Sequence, residues 1–90
     1  MDYEWDRTKA AANLKRHGVE FADAALSLED PLGRTVPDPD ASGEERFICL
    51  GADPSGRILV TVFAPRGERI RIISSRKASR AERSSYETKR

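Results

Sequence analysis

Hydrophobic and polar positions alternate in different periods along the chain, and the change of period divides it into helices and strands. From Phe21 to Leu28 the apolar residues Phe21, Ala24, Ala25 and Leu28 fall at i, i+3, i+4 and i+7, one face of a helix that turns toward a core. Before it, Arg7 to Lys15 is rich in Ala and Lys, with Asp6 as N-cap and Gly18 as the stop, which predicts a short first helix. Asp30-Pro31 ends the second helix. Three later runs, Arg46 to Leu50, Arg57 to Phe63 and Glu68 to Ser75, are rich in Ile, Val or Phe and read as strands. The connections Asp53-Pro54-Ser55-Gly56 and Ala64-Pro65-Arg66-Gly67 carry the Pro and Gly of tight turns. These strands form an antiparallel meander.

Gly33 to Glu44 holds two prolines and two glycines and reads as a short edge strand followed by an exposed, mobile loop. Ser79-Arg80-Ala81-Glu82 has the capping-box pattern, so a third helix runs from there to about Thr88. Beyond Ala81 and Tyr86 that helix offers little apolar surface, and light packing or support from a partner is expected. The fold class is α+β: two N-terminal helices, an antiparallel sheet of three or four strands and a C-terminal helix. At 90 residues the chain buries roughly 60–65% of its unfolded surface and supports one core, so residues 1–90 are expected to form a single domain.

Composition excludes several classes. The longest apolar run, Ile58 to Ala64, is broken by Thr61 and is far shorter than the roughly 20 residues of a spanning helix. Asp2, Glu4 and Asp6 stand where a secretory signal would be basic. Cys49 is the only cysteine and His17 the only histidine, which leaves neither a disulfide framework nor a cysteine zinc site. A cytoplasmic protein without metal or other cofactor is expected, with no membrane partner.

The formal net charge of +1 hides a division. Residues 1–45 hold five basic and eleven acidic side chains, a net of −6, and residues 46–90 hold eleven basic and four acidic, a net of +7. A basic half suits a polyanion or an acidic partner; the plainer alternative is that the halves fold together and partly neutralise. In the last strand, period two places Ile70, Ile72 and Ser74 on one face and Arg69, Arg71, Ile73 and Ser75 on the other, with Arg66, Arg76 and Lys77 at its ends. Guanidinium forks on a rigid strand suit phosphate oxygens, and their charge is permanent. A solvated strand face, or a patch covered by an acidic protein, is the alternative. Arg46 reaches the same surface if the strands align simply, unless Glu44 or Glu45 pairs with it. His17 either caps carbonyls at the end of the first helix or acts as a general base or acid. Asp38 and Asp40 flank Pro39 and read as turn residues.

Taken in order, Glu4-Trp5-Asp6 with Lys9, Asn13-Leu14, His17-Gly18-Val19 with Phe21, Asp30-Pro31, Glu45-Arg46-Phe47 with Gly51, and Arg69 to Ser74 with Arg76-Lys77-Ala78 resemble the BrnT toxins of bacterial type II toxin-antitoxin systems. The resemblance runs from about residue 4 to residue 86. Ser75 stands where Ala is more usual and Phe63 where Tyr is common. The resemblance implies a RelE-like toxin fold and a metal-independent endoribonuclease that cleaves RNA to inhibit translation and growth. It also implies a BrnA-like ribbon-helix-helix antitoxin that neutralises the toxin in a 2:2 assembly, autorepresses the operon and makes the only contact with operator DNA. Carried onto this chain, Arg46, Arg71, Arg76 and Lys77 are the catalytic candidates, and Arg66, Arg69 and His17 the RNA-binding ones. Proton transfer falls to Lys77, to His17 or to no protein group, and the products are a 2′,3′-cyclic phosphate and a 5′-hydroxyl. The runner-up is a non-catalytic basic module that binds an acidic protein or nucleic acid.

Overall fold

The computed structural model describes residues 1–88. In chain order the elements are β1 (Asp2–Glu4), α1 (Arg7–His17), α2 (Phe21–Ser27), β2 (Arg34–Pro37), β3 (Phe47–Ala52), β4 (Ile58–Arg66), β5 (Arg69–Lys77) and α3 (Arg80–Thr88). The five strands form one sheet in the order β1-β5-β4-β3-β2. The meander β2 to β5 is antiparallel as the sequence predicts, and β1 adds a parallel strand on β5, pairing Asp2, Tyr3 and Glu4 with Arg69, Ile70 and Arg71. β4 runs through Pro65 to Arg66, so the last hairpin turns at Gly67-Glu68 and not over the expected four residues. Proline is tolerated there because β3 pairs with β4 only as far as Phe63, so at Pro65 β4 has a neighbouring strand on one side alone.

Helix ends follow the local chemistry. The Asp6 carboxylate accepts the Lys9 amide at 3.0 Å, and Gly18, at φ 70°, closes α1 with its amide on the Leu14 carbonyl. At α3 the Ser79 amide donates to Glu82 Oε1 at 2.7 Å while the Glu82 amide donates to Ser79 Oγ at 3.1 Å, the reciprocal bonding of a capping box.

α1 and α2 cover one face of the sheet. Val19, Phe21 and Ala24 pack there against Leu59 and Ile72, and the ring of Trp5 meets Phe21 edge-on at 6.0 Å. A buried polar column crosses this core. Ser27 Oγ lies 3.5 Å from Thr61 Oγ1, and Thr61 Oγ1 lies 2.9 Å from Ser75 Oγ. Asn13 donates to the carbonyls of Ser75 and Val19 and accepts the Ser75 amide. Because β1 stops opposite Arg71, β5 is a sheet edge from Ile72 onward, and the Asn13 amide supplies at Ser75 the pairing that a neighbouring strand would supply. α2 lies close over β3: a Cβ on Gly51 would stand 2.5 Å from the Ser27 carbonyl oxygen.

α3 lies across the other face at one end. Arg34, Leu50, Val60 and Arg76 share one cross-strand row. Its two terminal arginines bond to Ser85 and Glu82 of α3. Tyr86 is 5% exposed, with its hydroxyl on Asp30, so α3 is anchored by a buried ring, more firmly than its polar sequence suggests.

A register shift between Val62 and Phe63 on β4 leaves Ile73 as an extra residue on β5, a β-bulge. It overturns the simple alternation expected for this strand. Ser74 pairs with Val62 on the face away from α1 and α2. Ser75 turns inward to Thr61 and is 1% exposed.

Candidate functional site

The face away from α1 and α2 collects arginines by register. Phe63 packs in the core, so its neighbour Ala64 points to the opposite face. Ala64 pairs with Arg71 and Arg71 with Glu4, a row across three strands. Arg46 immediately precedes β3, whose first residue Phe47 pairs with Phe63, so carrying that register one step further sets Arg46 beside Ala64, roughly 10 Å or two strand spacings from Arg71. Ala64 is 1% exposed between them. On one side of this row lie the half-buried Ile48, Val62 and Ser74, an apolar floor ending in a hydroxyl. On the other lies the exposed pair Arg66 and Arg69 at the hairpin end.

The bulge decides which basic groups join this face. With unbroken alternation Lys77 would share it with Arg71 and Arg76 would turn to the helices. With Ile73 inserted, Arg76 pairs with Val60 on the arginine face, and Lys77 pairs with the core residue Leu59 on the helical face, near Gly18. Arg46, Arg66, Arg69, Arg71 and Arg76 are thus brought together and Lys77 is not. His17 stands apart as well, beside Ile73 and Ser74 where α1 passes the β5 edge.

Carboxylates hold these guanidiniums in place. Arg71 Nε donates to Glu4 Oε2 at 3.1 Å, and Arg69 Nη1 lies 3.8 Å from Glu4 Oε1. Arg46 Nη2 lies 3.5 Å from Asp38 Oδ2, so Asp38, and neither Glu44 nor Glu45, is its ion partner; Asp38 also closes its own turn by accepting the Asp40 amide. Arg46 Nε is buried without a hydrogen-bond partner among the described residues. A donor in that position loses its hydration and gains nothing until an acceptor reaches it. Arg76 grips Glu82 at two points, which raises the Arg76 guanidinium and pulls the Glu82 carboxyl down to about 2.

Sequence reasoning does not find Glu4, Asp38 and Glu82 as partners of the arginines. Glu82 is visible there only as a capping residue, and Glu4 stands 67 positions from the arginine it meets. The hydrophobic floor is visible as strand residues, but its placement beside the arginines depends on register. Chemically the face offers forked donors of fixed charge around a small apolar platform, with the carboxylates of Glu4, Asp38 and Glu82 beside them, an arrangement suited to a phosphodiester and the ribose or base attached to it.

Among the described residues no helix is long and apolar enough to cross a membrane. No curated protein sequence matches the chain. The crystal structure of the Brucella abortus ribonuclease toxin BrnT is similar, with a TM-score of 0.70 and 29% sequence identity over 89% of this chain and 99% of that one. A family model described as the ribonuclease toxin BrnT of type II toxin-antitoxin systems matches residues 5–82. With that span covering nearly all of the helices and strands that build the arginine face, the chain belongs to the BrnT ribonuclease toxin family.

Proposed function

We propose that this toxin cleaves RNA without a metal ion on the arginine face, with Arg46 and Arg71 as the groups that hold the scissile phosphate. The observation that carries this reading is that Arg71 pairs with Ala64 while Arg46, which enters β3 beside them, has a buried, unpartnered Nε. The ribose O2′ attacks phosphorus, the P–O5′ bond breaks, and a 2′,3′-cyclic phosphate and a 5′-hydroxyl end result. Charge builds on the non-bridging oxygens during this step, where guanidinium donors fixed by the sheet stabilise it; one such donor is commonly worth about 10²–10³ in rate. Arg76 and Arg66 extend the field, and Arg69 holds Glu4 from its second side. Glu4 is the carboxylate in the row itself, beside Arg71, and we assign it the O2′ proton; the leaving O5′ takes its proton from solvent.

The test is cleavage of a defined RNA by purified toxin in the presence of EDTA, with both new ends identified. Undiminished cutting and cyclic phosphate ends are expected. A requirement for added Mg²⁺, or 5′-phosphate ends, would overturn the mechanism. Membership in a type II system implies an antitoxin. We infer a BrnA-like ribbon-helix-helix partner in a 2:2 assembly that covers the arginine face and makes the contacts to operator DNA. The pairing of Arg46, Arg71 and Arg76 with Asp38, Glu4 and Glu82 supports this, since the face already accepts carboxylates and an acidic segment of a partner would compete with RNA for it. Salt-dependent operator binding by the toxin alone would contradict that division of labour.

A further inference from the structure

A cleft of about 310 Å³ lies where α1 passes the edge of β5. It lies where β1, which pairs β5 only through Arg71, leaves the strand beyond that point without a neighbouring strand, beside the bulged residue Ile73. Lys9, Arg16 and His17 line it from α1, with Ala12 between them, against Ile73 and Ser74 of β5. Positions 9, 12, 16 and 17 fall on one side of a helix, and Lys9 and Arg16 stand about 10.5 Å apart along its axis. Among the described residues none of the three basic groups makes an ion pair. The N-cap Asp6 accepts the Lys9 backbone amide, and the Lys9 ammonium acts on its carboxylate only through space, without an ion-pair contact. Ser74 belongs both to this cleft and to the apolar row beside Arg71, so the two surfaces meet there without a break.

We propose that this cleft is a second phosphate subsite, which receives the RNA backbone as it leaves the arginine face around the β5 edge. Lys9 and Arg16 hold a flanking phosphodiester, Ala12 and Ile73 support its ribose, and His17 sits at the far end of the track. The substrate is accordingly single-stranded RNA longer than the dinucleotide that spans the cut. An acidic protein segment fits the charge as well, but the continuity through Ser74 with the arginine face favours one strand lying across both. The proposal rests on the ribonuclease reading above.

The experiment compares wild-type toxin with the double variant Lys9→Gln/Arg16→Gln. Cleavage of a trinucleotide and of a twelve-nucleotide RNA around the same cut is measured, together with salt-dependent binding of a non-cleavable 2′-O-methyl twelve-mer. The variant is expected to raise KM for the long RNA about tenfold with kcat unchanged, to leave the trinucleotide unaffected, and to reduce the salt slope of binding by about 0.7 for each phosphate that the variant no longer neutralises. Equal impairment on both substrates, or none on either, overturns the subsite. So does an unchanged RNA affinity with weakened antitoxin binding, which makes the cleft a protein interface. If wild-type toxin cuts neither RNA, the ribonuclease reading fails instead, and the twelve-mer's affinity and salt slope still decide the cleft.

Discussion

Arg76 and Glu82 meet at two points, Nη1 on Oε1 at 2.8 Å and Nη2 on Oε2 at 3.0 Å, across the junction between β5 and α3. The same Glu82 Oε1 accepts the Ser79 amide that opens α3. One carboxylate therefore starts the last helix and fixes the arginine that the bulge delivers to the arginine face, so the seat of α3 and the position of Arg76 are set together.

Glu82→Gln is expected to lower stability by roughly 1 kcal/mol at pH 7, the scale of a well-formed but partly exposed ion pair. The Arg76 fork first and the Ser79 amide next draw the Glu82 carboxyl from its ordinary 4.5 down to about 2. A carboxyl lowered in the folded state contributes stability above its unfolded value, and the contribution disappears as pH falls through the folded value. Urea melts should therefore show the wild-type advantage at pH 7, a shrinking gap below about 4.5 and none near 2. A gap independent of pH would assign the effect to packing.

Arg46→Ala and Arg71→Ala are each expected to reduce kcat by about 10²–10³ and to relieve growth arrest on expression without antitoxin, with the fold intact by circular dichroism. Lys77→Ala, on the helical face, should leave kcat unchanged. A Lys77 variant as damaged as the arginine variants would move the reaction to the other face of the sheet.

For Glu4→Gln the expected result is a fall in kcat of about 10²–10⁴. RNA affinity should rise, because a negative charge has left the phosphate surface. A fall of no more than about tenfold would leave Glu4 as a group that only positions Arg71, with the proton going elsewhere.

Asn13→Ala should cost about 2–4 kcal/mol, since the Ser75 amide and the carbonyls of Ser75 and Val19 lose their partner in a buried setting. Chemical denaturation measures this directly. Asn13→Asp separates the contributions: it keeps the acceptor for the Ser75 amide and loses the donor to the two carbonyls, so a stability near wild type would show that the donor side carries little.

Elements with local signals are legible in the sequence. Asp6 and Gly18 mark α1, Ser79 and Glu82 mark α3, and the Ile-, Val- and Phe-rich runs mark β3, β4 and β5. The ordered motifs from Glu4-Trp5-Asp6 to Arg76-Lys77-Ala78 also carry the family. β1 is not legible, because Asp-Tyr-Glu has no strand period of its own and its pairing is made with residues far along the chain. Nor is the bulge: Ile73 is as good a strand residue as its neighbours, and only its mismatch against Val62 and Phe63 makes it extra. That one residue exchanges Arg76 for Lys77 on the arginine face, so candidates read from charge alone mix groups from the two sides of the sheet.

The pairing of β1 with β5 also sets a clock. Glu4 leaves the ribosome early, yet its partner Arg71 is made 67 residues later, an interval of roughly 3–13 s at ordinary elongation rates of about 5–20 residues per second. Until then neither the row Ala64, Arg71, Glu4 nor the carboxylate beside Arg71 exists. A nascent chain therefore lacks a complete arginine face until β5 has been made and has met β1.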